Sequence, residues 1–148
     1  MKFAILLLTA VSLWGQSQVS IYSSKDIQKI GRALAQQRTR FASKDLARYA
    51  SNYSMIAYRE ETGSSEVHQH ESDIWIIETG TATLITGGKL TNPHTQKPGE
   101  IRGTSIQGGE RHAVGVGDVV EIPPGVPHQV LIEKGKPFTY FVIKVTGQ

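Results

Sequence analysis

Two histidines one residue apart, His68 and His70 in Val67-His68-Gln69-His70, and a distant third, His128, behind Pro123-Pro124-Gly125, are the side chains with the most chemistry to offer. In an extended strand, residues i and i+2 project from one face roughly 6–7 Å apart, so both imidazoles of the pair can converge on one ion. Neutral imidazole is a good donor to borderline divalent ions. Cysteine is absent, which excludes disulfides, thiolate metal ligands and a cysteine nucleophile together. Any metal must therefore be held by nitrogen and oxygen. A His-x-His pair alone is commonly a solvated stretch of exposed strand. The turn that delivers His128 is what makes the pair half of a possible site.

The elements that must position these residues read mainly as strands. From Tyr53 onward apolar residues alternate with period two, and glycine or proline recurs every dozen residues or so, the pattern of many short strands in a sandwich or barrel. Ile74-Trp75-Ile76-Ile77 predicts one strand, turned by Glu78-Thr79-Gly80 into a second over Thr81 to Thr86. Further strands are expected around Ile101 to Ile106, Val119 to Ile122, Gln129 to Glu133 and Phe138 to Val145. Lys89 to Gly99, with Pro93 and Pro98, has no usable period and reads as a long loop. Before the strands, Ser24 to Gln37 carries Ile27, Ile30, Leu34 and Ala35 at amphipathic-helix spacing, with Ser23 or Ser24 as cap. Lys44 to Ala50 reads as a second short helix.

The 148 residues suit one domain with a real core. Lys2 followed by the apolar run Phe3 to Trp14 resembles a secretory signal peptide, too short for a membrane span of about 20 apolar residues. The expected organisation is a signal peptide over 1–17, a helical segment over 18–52 and a β domain over 53–148, exported to the periplasm or secreted. Excluding Lys2, 15 basic residues face 13 acidic ones, too small and scattered an excess for a nucleic-acid partner.

The histidines and their surroundings resemble the two motifs of the cupin superfamily. The second motif, a glycine, five residues, Pro-x-Gly, two residues and a histidine, is matched by Gly117, Pro123-Pro124-Gly125 and His128. The first is matched by Gly63, His68, His70, Asp73 and Gly80. It departs from the pattern in three ways: Gly63 is one residue closer to His68 than usual, only two residues separate His70 from the acidic position, and that position is Asp rather than Glu. Ile132 stands where the second motif has asparagine. The resemblance covers roughly residues 53–146. It implies an all-β, single jelly-roll barrel (a double-stranded β-helix) with the two short helices outside it. It also implies one divalent metal ion (Fe, Zn, Mn, Ni or Cu) held by His68, His70, Asp73 and His128, and a homodimer paired through its sheets.

Such a centre suits Lewis-acid or redox chemistry on a small molecule at the barrel mouth. Tyr58, Trp75 and Tyr140 are candidate cavity walls, and Arg59, Arg102 and Arg111 candidate holders of an anionic substrate. Glu66 and Glu71 read as surface residues, and His94 and His112 as loop histidines. No catalytic base stands out. A metal-dependent enzyme (oxygenase, isomerase or lyase) is the favoured reading, beside an exported cupin that binds a ligand or metal without turnover.

Overall fold

The period-two alternation becomes a pair of facing antiparallel sheets. The structure, a computed structural model, describes residues 19–147, so the expected signal peptide lies outside the described residues. After helix α1 (Ser24–Ala35) come β1 (Phe41–Arg48), β2 (Asn52–Arg59), β3 (Ser65–His68), β4 (Glu71–Thr79), β5 (Thr81–Thr86), β6 (Lys89–Thr91) and β7 (His94–Lys97). They are followed by β8 (Glu100–Gly103), β9 (Ser105–Gln107), β10 (Glu110–Gly115), β11 (Val119–Ile122), β12 (His128–Leu131) and β13 (Phe138–Thr146). One sheet runs β1-β2-β13-β4-β11, the other β10-β5-β12-β3-β8-β7, and β6 with β9 forms a small ribbon. The expected barrel is thus two facing sheets rather than one closed hydrogen-bonded ring.

Alternation decides what lies between the sheets. Trp75 and Ile77 of β4, Phe138, Tyr140 and Val142 of β13, and Ala57 of β2 point inward. They meet Ala82 and Leu84 of β5, Val114 of β10, Ile122 of β11 and Val130 of β12 in one buried core. The opposite face of β2 is also buried, because α1 lies across it. Ile27 and Leu34 of the helix pack with Ala42, Ile56 and Tyr58 in a second cluster. The helix is held at its start by a capping box in which the Ser23 hydroxyl accepts from the Asp26 N–H and the Asp26 carboxylate accepts from the Ser23 N–H. At the β4–β5 turn only glycine fits, since Gly80 has φ 78° and a Cβ there would meet the Pro137 carbonyl oxygen at 2.1 Å.

Two expectations are corrected. Lys44 to Ala50 is not a helix. Most of it belongs to β1, paired with β2 from Phe41↔Arg59 to Arg48↔Tyr53 with a bulge between Asp45 and Ala47. A seven-residue stretch has too few turns to sustain a helix alone, and strand pairing overrides its weak propensity. The sheet therefore begins well before residue 53. Lys89 to Gly99 is likewise not a loop: β6 pairs with β9 and β7 with β8. These strands hid because they are three or four residues long, and β7 is exposed along its whole length, so they carry no apolar alternation.

Ile56 is fully buried under the helix, on the face of β2 away from the sheet interior. We expect Ile56→Ala to cost about 2–5 kcal/mol in urea unfolding while leaving ligand binding between the sheets intact.

Candidate functional site

Sheet register brings the polar residues together. On β3, Glu66 and His68 are two apart and share the inward face, both buried. Glu66 lies opposite His128 of β12 on one side and Arg102 of β8 on the other, and His68 lies opposite Glu100. From the facing sheet, Asp73 of β4 projects inward beside Lys144 of β13, its partner in register. The interior is thus divided along the strands, apolar where Leu84, Val114 and Val130 point in and polar where these side chains meet.

The Pro123-Pro124-Gly125 turn aims His128. Gly125, at φ 77°, donates its N–H to the His68 carbonyl at 2.8 Å, tying the turn to the strand that bears the other imidazole. His128 Nδ1 lies 3.0 Å from the Val126 carbonyl. A carbonyl only accepts, so Nδ1 donates there, and Nε2 is the ring nitrogen that faces Glu66 and Asp73.

The resulting group is close-set. His128 Nε2 is 3.5 Å from Glu66 Oε1 and 3.7 Å from Asp73 Oδ2, and His68 Nε2 is 3.6 Å from Glu66 Oε2 and 3.8 Å from Asp73 Oδ2. Both Nε2 atoms are buried without a hydrogen bond, a condition that costs about 1–3 kcal/mol per group. Among the described residues, Glu66, His68 and His128 form the group of three whose donor atoms lie within 4.8 Å of one another. Donors about 2.1 Å from a tetrahedral ion stand about 3.4 Å apart, close to the 3.5 and 3.6 Å between each imidazole nitrogen and its Glu66 oxygen. The donor set fits a divalent ion.

Charge around the group is balanced by contact. Burial opposes ionisation of Glu66, but His128 and the Arg102 guanidinium outweigh it and hold the carboxyl well below its usual range. Burial pushes the His68 imidazole below its ordinary 6.5, and the Lys144 ammonium adds to this against Asp73 and Glu66. Asp73 is held from both sides, by Lys144 Nζ on Oδ1 at 2.5 Å and by Trp75 Nε1 donating to Oδ2 at 3.2 Å. The group opens on a pocket of about 240 Å³ between the sheets, walled by Tyr53, Met55, Trp75, Tyr140 and Val142. Arg59 donates from Nε to the Tyr140 hydroxyl at 2.9 Å, and burial raises that phenol's pKa despite the guanidinium.

Several sequence expectations land elsewhere. His70 does not join the group: β3 ends at His68, the chain bends through Gln69-His70, and both are exposed. Glu66, read as a surface residue, is buried and stands beside His68 where the paired ligand was expected. The two-residue gap from His70 to Asp73 was the available signal. Three residue steps reach at most about 11 Å, barely the roughly 10 Å between packed sheets, whereas five steps from His68 allow the crossing and a turn. Trp75 and Tyr140 do line the pocket, but Tyr58 faces the helix cluster and its hydroxyl donates to Glu60 at 2.7 Å. Arg111 and His94 are exposed. His112, half-buried and 3.1 Å from the Thr86 hydroxyl, lines a separate, larger cavity of about 470 Å³ with Leu84, Val120 and Ile122. Larger though it is, that cavity lacks the clustered imidazoles and carboxylates of the smaller one.

The lowered His68 pKa has a definite pH signature. Below 6.5 the unfolded chain takes up a proton at this residue that the folded chain resists. Its contribution is present above that pH and lost progressively below it. Urea midpoints of chelator-treated protein at pH 7 and pH 5 should fall more for wild type than for His68→Asn. Equal falls would show that His68 carries no such penalty.

Neither a protein-family model nor a curated protein sequence matches the chain. Solved structures do match. A protein with a double-stranded beta-helix domain from Klebsiella pneumoniae subsp. pneumoniae MGH 78578 superposes with TM-score 0.60 at 15% identity, over 88% of this chain and 93% of that one. A Cupin 2 conserved barrel domain protein from Salinispora arenicola CNS-205 gives 0.51 at 24% identity, covering 71% and 75%. The DMSP lyase DddQ from Ruegeria pomeroyi DSS-3 gives 0.52 at 21% identity, over 72% of this chain and 47% of that one. With its two facing antiparallel sheets and these neighbours, the chain has the fold of the cupin superfamily, the double-stranded β-helix.

Proposed function

We propose that the protein is an exported cupin that holds one divalent metal ion through Glu66, His68 and His128, with Asp73 Oδ2 as fourth donor, and that it is an enzyme acting on a small molecule. One observation carries the reading: two buried imidazole nitrogens without hydrogen bonds face a carboxylate kept ionised beside them. Export rests on Lys2 and the apolar run Phe3 to Trp14 that follows it. Two imidazoles with carboxylate oxygen make a set suited to iron(II), manganese(II) or zinc. Bound there, such an ion supplies Lewis-acid or redox activation of a small molecule.

The chain's own residues have definite parts in this. At about 240 Å³ the pocket is smaller than the usual drug-sized site of about 300–1,000 Å³, which selects metabolite-sized ligands. Trp75 and Val142 exclude water from one side. Tyr140, held by Arg59 and kept protonated by burial, presents a hydroxyl proton to whatever the pocket holds. Lys144 neutralises Asp73 and fixes its orientation. A second reading, ligand or metal binding without turnover, is favoured by one feature: Arg102, Lys144 and Lys97 at the pocket are each already paired with a carboxylate.

A homodimer belongs to the proposal as well. The outer face of the five-stranded sheet beyond the helix carries exposed Ile76 beside exposed Val119, its partner in register. Ile74, Phe141 and Ile143 are on the same face. Ile76→Glu should shift the protein from dimer to monomer in light scattering; an unchanged mass would remove this face from consideration.

The experiment for the main claim is elemental analysis of purified protein beside its variants. Wild type and His70→Ala should carry one equivalent of metal, and Glu66→Gln, His68→Ala and His128→Ala far less. Full occupancy in His68→Ala and His128→Ala, or no metal in wild type, would end the proposal.

A further inference from the structure

Glu66 is shared between the metal group and a charged chain on β8. Arg102 stands opposite it in register and contacts Glu66 Oε2 through Nη1. The same guanidinium grips Glu100 Oε1 through Nη2 and through Nε at 2.6 Å. Glu100 Oε2 is in turn 3.1 Å from Lys97 Nζ, and Arg102 Nη1 also reaches the Ser64 hydroxyl at 3.3 Å. The fork therefore joins one deeply buried carboxylate to one at the pocket wall.

We propose that Arg102, anchored by Glu100, is a positioning residue that makes Glu66 a one-oxygen ligand and thereby sets the affinity and open coordination of the centre. The inference rests on the metal-binding reading above. The guanidinium contact occupies Oε2, which also lies 3.6 Å from His68 Nε2, and leaves Oε1, 3.5 Å from His128 Nε2, as the Glu66 oxygen with no cation on it. A planar fork can fix one carboxylate while held by another, which a lysine's point charge cannot do. Glu100 matters because a bare guanidinium next to a cation would repel it. Paired with Glu100, Arg102 orients Glu66 without adding net positive charge. Partners that orient a ligand from outside the coordination sphere typically change metal affinity by roughly 10–100-fold.

The test is titration of chelator-treated full-length protein with Co²⁺ against a chromophoric competitor, together with the visible absorption spectrum of the loaded protein. Wild type should bind one equivalent with intense bands of low coordination number. Arg102→Gln should bind roughly 10–100-fold more weakly, with weaker bands as Glu66 takes the ion through both oxygens. Arg102→Lys should restore only part of the affinity and not the spectrum. Glu100→Gln should weaken binding while keeping the wild-type spectrum. Circular dichroism reports whether Arg102→Gln folds; if it does not, the lysine and glutamine variants at 102 and 100 decide. Wild-type affinity and spectrum in the folded position-102 variants, or tighter binding on removal of the guanidinium, would overturn the proposal. A wild type that takes up no Co²⁺ would overturn the metal-binding reading and the clamp with it.

Discussion

A carboxylate buried between two sheets is the constraint around which this molecule is arranged. Left alone in that position Glu66 would take up a proton or pull the fold apart, because burying an uncompensated charge costs far more than any single contact returns. Two neighbours from two other strands offset the penalty: His128 from β12 and Arg102 from β8. Arg102 is delivered by strand register, and His128 by register together with the turn before it. The same logic repeats across the gap, where Lys144 and Trp75 hold Asp73. The result is a polar end to the interior in which the carboxylates are held by cations while the two imidazole Nε2 atoms stay without hydrogen bonds.

The remainder of the fold can be understood as what allows that end to exist. The apolar half of the interior, around Trp75, Leu84, Phe138 and Val130, brings the sheets together, and Trp75 links the halves by packing its ring against His128 and donating to Asp73. Helix α1 does separate work on the outside, covering Ile56 and Tyr58 so that β2 is buried on both faces. The Pro-Pro-Gly turn is the most economical device of all. A backbone hydrogen bond from Gly125 to His68 adds to the pairing of β12 with β3, the two strands that supply imidazoles.

How much of this was legible depended on whether the signal was local. The turn before His128 was readable because proline and glycine dictate their own geometry. The strand over Ile74 to Ile77 was readable because it is a run of residues that favour strands, and its true start at Glu71 was not. His70 misled because His-x-His looks the same whether or not the strand continues through it, and the end of β3 is set by the crossing to the other sheet. Glu66 was passed over for a related reason. An acidic residue reads as surface unless its buried cation is known, and Arg102 lies thirty-six residues away, joined only by strand pairing. The strand over Phe41–Arg48 and the short strands after Lys89 were hidden similarly, their conformation fixed by partners and not by their own sequence.

The account turns on whether an ion sits among Glu66, His68 and His128. Anomalous diffraction from crystals of protein purified from its native compartment, collected on both sides of the relevant absorption edge, locates that ion directly. The account predicts a single peak at bonding distance from both Nε2 atoms and one Glu66 oxygen. A peak at His70 or His112, or none at the Glu66 group, would contradict it.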